Sequence, residues 1–255
     1  FDQQMFTWLK TIRSQARAGA QPPTELAMLD PLLHEARLHK SPAEIATMQQ
    51  AADISCRAHI RAMQAAQQGL FEYHLEAELD YEFRKGGARL PAYSSIVASG
   101  KNACILHYTE NNAPLHNGDL VLIDAGCEID CYASDITRTF PVSGRFSPEQ
   151  KAIYNIVLQA NLEAMNYISP QHCWNDAHDA TVRVITAGLL ELGLLQGELE
   201  ELIATDAYRP FYMHRAGHWL GLDVHDVGEY KINGTWRKLA VGMTMTVEPG
   251  IYIAV

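Results

Sequence analysis

The sequence predicts a mixed α/β (α+β) fold made of two related halves, each running helix–helix–strand. Three observations lead there. Two helix starts share one signature: Ser41-Pro42-Ala43-Glu44 and Ser147-Pro148-Glu149-Gln150 each place a capping Ser before a Pro, with Glu or Gln three residues after the Ser. Two apolar runs share another. Gly118-Asp-Leu-Val-Leu-Ile-Asp124-Ala-Gly126 and Gly242-Met-Thr-Met-Thr-Val-Glu248-Pro-Gly250 both read Gly, a mostly apolar run, an acid, one residue and Gly. Coincidence between two buried strands is the alternative reading of that match. Finally, 255 residues at 47% apolar and 20% charged suffice for one large domain with a substantial core, or two small ones.

The elements follow in order. Residues 1–39 hold Pro22-Pro23, Pro31 and a short apolar helix pattern from Phe6 to Ile12, read as the tail of a preceding domain and its linker. Residues 40–255 form the main domain. Its first helix starts at the Ser41 cap and runs to Gly69; a second covers Glu72 to Lys85 and stops at Gly86-Gly87. Ser94 to Ala98 is short and β-prone, Asp119 to Ile123 is an apolar run of strand length, and residues 129–142 read as its return strand. The Ser147 cap opens the second helix pair, whose second member spans Trp174 to Leu195, and Met243 to Val247 reads as a strand.

Composition narrows the partners. A formal net charge of -10 argues against nucleic acid or an anionic membrane, both of which reward a basic surface. No stretch approaches the roughly 18 apolar residues of a membrane span. The start, Phe1-Asp2-Gln3-Gln4, has neither an initiator Met nor a signal-peptide layout, so the chain is expected to be a piece of a longer protein. The five Cys are odd in number and irregular in spacing, which suits free thiols in a reducing, cytoplasmic compartment. Cys127 and Cys131 have no second close pair to make a structural zinc site.

Acids that close apolar strands point to a metal. A buried carboxylate is costly unless it is paired or bound to a cation. Asp124 and Glu248 occupy equivalent strand positions, and Asp135 follows Asp124 by eleven residues across a turn near Glu128 to Tyr132. That spacing suits two neighbouring antiparallel strands with both carboxylates on one face. His214, His218 and His225 fall within twelve residues among Gly217, Gly221 and Gly228, and His107 is a fourth candidate. Carboxylates with one imidazole suit Mn²⁺, Co²⁺ or Zn²⁺ better than a thiolate-preferring ion. Bridging carboxylates can hold two ions roughly 3.5–4 Å apart, which activate water and polarise a carbonyl. A nearby His can hydrogen-bond substrate or the tetrahedral intermediate. No Gly-x-Ser-x-Gly, Walker A or His-Glu-x-x-His motif competes.

The block from His214 to Gly228, with Ile123-Asp-Ala-Gly126, Ser134-Asp-Ile-Thr-Arg-Thr-Phe140 and Val247-Glu-Pro-Gly250, resembles the bacterial aminopeptidase P (Xaa-Pro aminopeptidase) family over residues 40–255. The resemblance implies a pita-bread fold, pseudo-symmetric about a curved, mainly antiparallel sheet, with two divalent ions, Mn²⁺ foremost. Asp124, Asp135, His218 and Glu248 would be metal ligands, with Asp135 bridging and Glu248 also the general base. His107, His214 and His225 would contact substrate or lie just behind the ligands. The implied activity is release of the first residue from peptides with proline second, in a homo-oligomer. A prolidase-type dipeptidase and a non-catalytic pita-bread binding module are the alternatives. The family has a fifth ligand, a bridging Glu, on a strand after the Val-Glu-Pro-Gly motif. The sequence has no such acid before Val255, so both ends are expected to be missing and this piece to bind metal weakly and be nearly inactive.

Overall fold

Burial alternates along the strand that carries Asp124, and this alternation organises the first half of the fold. The computed structural model describes residues 1–254. In β2 (Leu120–Ala125), Val121, Ile123 and Ala125 are buried while Leu122 and Asp124 are half-buried on the opposite face. Successive strand side chains point to opposite faces, so one run supplies both core and site. The buried face meets α3 (Pro42–Ala65) and α4 (Glu72–Lys85), which contribute Ala51, Ile54, Ala58, Leu75, Leu79 and Phe83 to one core. β1 (Ile96–Ser99) and β5 (Ile136–Pro141) flank β2, both antiparallel to it. Between them, β3 (Glu128–Ile129) and β4 (Tyr132–Ala133) form a hairpin whose turn residues, Asp130 and Cys131, take positive φ of 48° and 70°.

Both predicted helix starts form. The Ser41 side chain accepts from the Glu44 amide at 3.4 Å, and the Ser41 amide donates to the Glu44 carboxylate at 2.7 Å. Ser147 and Gln150 repeat this reciprocal pair at the head of α5 (Pro148–Asn166), at 3.2 and 2.9 Å. α6 (Trp174–Glu191) and α7 (Leu199–Ala204) follow. A second core gathers Ala160, Val182, Ile185, Leu189, Tyr208 and Tyr212. β6 (Lys231–Ile232) and β7 (Thr235–Trp236) form a two-stranded hairpin.

Some boundaries differ from the sequence reading. α3 stops at Ala65, and Gly69, at φ +92°, forms the turn beyond it. α6 ends at Glu191. The return strand is split into β4 and β5, because Gly126 lies under the Ser134 carbonyl so closely that a Cβ there would sit 1.7 Å from the oxygen. The chain bends at that contact, so Asp135 lies just ahead of β5 and outside the β2–β5 ladder, where Asp124 faces Thr137. Met243 to Val247 is extended but forms no named strand. It follows residues 216–220 through Leu220 N–H to Thr244 O, Thr246 N–H to His218 O and Glu248 N–H to Ala216 O, at 3.1, 2.9 and 2.8 Å. The ladder is incomplete because the His218 amide donates to the Thr246 hydroxyl, at 2.9 Å, in place of the main-chain carbonyl.

The chain forms two compact units, Phe1–Leu33 and His34–Val255. The first holds α1 (Asp2–Ser14) and a 3-10 turn at Ala16–Ala18; α2 spans Asp30–Leu38. No helix among the described residues is long and apolar enough to cross a membrane.

His178, on α6, gives the second unit an acid-sensitive element. Its Nδ1 is buried without a partner among the described residues. Burial, then the charge of Arg215, pushes the imidazole down to about 4 from 6.5. A folded-state value below the unfolded one means that the unfolded chain binds the extra proton. The stabilising contribution is therefore complete above about pH 6.5 and is lost as pH falls toward about 4. With allowance for partial solvent screening, the loss is on the order of 2 kcal/mol. Urea melts at pH 7 and pH 4.5 should show a smaller acid loss for His178→Gln than for wild type. Equal losses would refute this.

Candidate metal centre

Two Gly contacts shape the floor of the site. Gly126 passes under Ser134, and Gly217 passes so close to Thr246 that a Cβ would meet the carbonyl oxygen at 2.0 Å. The first contact turns Asp135 out of its strand. The second presses the His218 segment against the segment that carries Glu248. Only Gly permits such a backbone approach.

The four proposed ligands converge there. His218 Nε2 lies 3.1 Å from Asp135 Oδ2 and 3.2 Å from Glu248 Oε1. Asp124 joins through Tyr93, whose hydroxyl hydrogen-bonds Asp124 Oδ1 and lies 2.9 Å from Asp135 Oδ1. All seven residues singled out in the sequence, His107, His214 and His225 included, line one open cleft of about 1750 Å³. The His225 ring meets the His218 ring edge-on, with centroids 4.3 Å apart. His214 is held by Arg215 O at 2.7 Å and the Tyr252 hydroxyl at 2.9 Å. His107 is exposed on the cleft wall, at φ +58°.

Three carboxylates in one place must be compensated. Burial and the neighbouring Asp135 charge raise the Asp124 carboxyl. Burial also opposes ionisation of Asp135, but hydrogen bonds from His218 and Tyr93 outweigh it and hold Asp135 below its usual range. Burial opposes the His218 imidazolium, yet the Asp135 and Glu248 carboxylates lift it to about 10. Of the two aspartates, Asp135 therefore carries the charge, and His218 answers it. Burial, then Asp124 and Asp135, drive the Tyr93 phenol well above 10, so it remains a donor. His225 is pushed down by burial and by the His218 charge.

The donor set fits a divalent cation. Among the described residues, no three His, Cys, Asp or Glu side chains stand ready-made around a metal position. The carboxylates of Asp135 and Glu248 instead face His218 Nε2, and the Tyr93 hydroxyl faces Asp124 and Asp135. Two ligands at right angles, each about 2.0–2.2 Å from one ion, stand roughly 3 Å apart. The observed separations of 3.1 and 3.2 Å match that spacing. His218 Nδ1 faces the Trp219 carbonyl at 2.9 Å, which directs Nε2 to the carboxylates, the orientation a metal-binding imidazole needs.

The sequence reading missed three residues. Tyr93 lies in Pro91-Ala-Tyr-Ser-Ser, where nothing local marks it. Thr246 Oγ1 donates to Glu248 Oε1 at 2.7 Å and accepts from the His218 amide. The i, i+2 spacing of Thr246 and Glu248 in an extended segment was an available signal, since such residues share a face. Tyr252, the partner of His214, belongs to the tail, where no pattern singled it out.

The chain is similar to several known proteins. The curated Xaa-Pro aminopeptidase of Haemophilus influenzae is 51% identical over 251 residues, covering 98% of this chain and 57% of the relative. The structure of Pseudomonas aeruginosa aminopeptidase PepP matches at a TM-score of 0.95 and 68% identity, covering 100% of this chain and 57% of that one. A zinc-substituted Escherichia coli aminopeptidase P in complex with product matches at 0.91 and 50%, covering 96% and 56%. The chain thus spans a little over half the length of the relatives it matches. The profile of metallopeptidase family M24 matches residues 46–254. With a carboxylate–imidazole centre at the meeting point of its two halves, and a match across most of its length, the chain belongs to metallopeptidase family M24.

Proposed function

We propose that residues 40–255 are the catalytic domain of a metal-dependent aminopeptidase that releases the first residue from peptides with proline second. The observation that carries the reading is the convergence of Asp135, His218 and Glu248, with Asp124 linked through Tyr93, on the floor of one cleft. The relatives named Xaa-Pro aminopeptidase support the substrate class.

Asp124, Asp135, His218 and Glu248 would hold two divalent ions, with Mn²⁺ preferred by this oxygen-rich set and Co²⁺ or Zn²⁺ as substitutes. When bound, the metal pair supplies Lewis acidity and lowers the pKa of water. Asp135 has one oxygen toward Tyr93 and the other toward His218, and it would be the carboxylate shared by the two ions. Glu248 accepts the proton of the attacking water, and the Thr246 hydroxyl on its Oε1 fixes which oxygen is free. His225, pushed toward its neutral form, can accept or donate a hydrogen bond to substrate. His214 is aimed by the Arg215 carbonyl and the Tyr252 hydroxyl, and His107 lies on the cleft wall; both contact the peptide. The same reading makes the whole protein a cytoplasmic homo-oligomer, and a net charge of -10 supports the absence of nucleic-acid and membrane partners.

The test is peptide cleavage by the full-length protein before and after chelation. An Xaa-Pro-Xaa peptide should be cut, an alanine-second control should not, and Mn²⁺ should restore the chelated enzyme. Turnover that survives metal removal would sink the proposal. Faster cleavage of Xaa-Pro dipeptides than of longer peptides would favour the prolidase reading, and metal uptake without turnover would favour a binding module.

A further inference from the structure

The carboxylate of Glu72 lies outside the proposed metal centre, at the first residue of α4, and no part of it is exposed. Four donors reach it. The Ser99 amide donates to Oε1 at 2.6 Å, and Asn102 Nδ2 to the same oxygen at 3.1 Å. The Tyr108 hydroxyl and the Ala113 amide donate to Oε2 at 2.8 and 2.9 Å. The Glu72 amide in turn donates to Ala113 O at 2.9 Å.

All four donors belong to a single stretch, Ser99 to Ala113, and they include both of its ends. That stretch carries His107. It begins with a 3-10 turn at Gly100–Cys104 and holds His107 and Asn111 at positive φ, 58° and 46°. Such conformations cost energy for non-glycine residues and persist only where the surroundings impose them. Inside the stretch, Asn102 Nδ2 also reaches the Tyr108 hydroxyl at 3.1 Å, and Asn111 ties back to Val97 N and Ser95 O at 2.9 and 2.8 Å. Tyr108 is buried while its neighbour His107 is exposed on the cleft wall. The phenol–carboxylate bond thus fixes the backbone one residue from the imidazole. A fully buried carboxylate is otherwise unfavourable, and here four donors from one loop satisfy it.

We propose that Glu72 is the positioning residue for His107: it closes the Ser99–Ala113 loop on one carboxylate and so sets where the imidazole meets the peptide. This rests on the proposed function, in which His107 touches substrate. Glu72→Gln keeps the shape but replaces one acceptor oxygen with an NH₂ group. If that group lies toward Tyr108, the phenol can rotate to accept, but the Ala113 amide faces a second donor and is left unpaired.

The experiment is a kinetic cycle on the full-length, metal-loaded protein with Glu72→Gln, His107→Ala and the double variant, assayed on an Xaa-Pro peptide. A misplaced contact residue costs roughly 10- to 100-fold in kcat. Glu72→Gln should lose that factor on its own and add less than about threefold in the His107→Ala background, with metal content unchanged. The same loss in both backgrounds would overturn the proposal. If Glu72→Gln does not fold, Tyr108→Phe, which removes one donor of four, goes through the same cycle with a smaller expected loss. Hydrogen exchange gives a readout independent of activity: residues 99–113 should exchange faster in the variant while Leu120–Ala125 stays protected. If His107→Ala turns over like wild type, the substrate role of His107 falls and the proposal falls with it. Where His107→Ala does lose turnover, unchanged protection of the loop in Glu72→Gln would reject the positioning role.

Discussion

Asp135→Asn is expected to lower Xaa-Pro peptide turnover by roughly 10³-fold, the factor that several kcal/mol of metal-derived charge stabilisation is worth. Asp135 is the choice because it touches both halves of the site, with one oxygen toward Tyr93 and the other toward His218. Hydrogen bonds from His218 and Tyr93 outweigh its burial and hold it below its usual range, whereas burial and the Asp135 charge raise Asp124. The amide removes a charge and offers only one good acceptor. Metal content measured on the purified variant should fall together with turnover. Wild-type metal occupancy and turnover within tenfold of wild type would mean that Asp135 does not hold the ion.

Asp226→Ala is expected to destabilise the second unit by about 3–5 kcal/mol, because it leaves a buried cation without its partner. The Asp226 side chain is fully buried, and the Lys40 side chain is 1% exposed. Lys40 Nζ lies 3.0 Å from Asp226 Oδ2, and Arg37 reaches Oδ1 at 2.5 Å. The loop is tight around this carboxylate: a Cβ on Gly221 would sit 2.1 Å from Oδ2. Asp223 provides the control. It also pairs with Arg37, at 2.6 Å, but its side chain is 63% exposed. Asp223→Ala should cost no more than about 1 kcal/mol, as exposed pairs do. Denaturant unfolding of both variants reads the difference directly. Costs equal within error would show that burial of the Lys40–Asp226 pair is not what sets its strength. His225 precedes Asp226 in the chain, so the same variant should also disturb the cleft wall that His225 forms.

Local patterns carried much of this. The reciprocal Ser41–Glu44 and Ser147–Gln150 pairs form where the motifs place them, because a cap needs only residues within one turn. α4 begins and ends at the residues named from its pattern. Asp124 faces the cleft because strand alternation leaves it opposite the buried Val121 and Ile123. The second half was harder. Met243 to Val247 has the composition of a strand, yet a Thr246 hydroxyl takes the hydrogen bond that a ladder would have used. Side-chain competition of this kind depends on what lies opposite, which composition does not encode.

By itself the sequence determined the capped helix starts, α4, the strand that Asp124 closes, and the family to which the ordered motifs belong, since period, caps and motifs are local. Only the tertiary structure decided which groups meet. It brought Tyr93 between Asp124 and Asp135, set Asp135 beyond the end of its strand through the Gly126–Ser134 contact, and placed Glu72 under the loop that carries His107. These pairings join residues far apart in the chain, across surfaces formed only when helix pairs and sheet pack. A carboxylate's charge, and its share in a site, follow from the donors and burial that packing supplies.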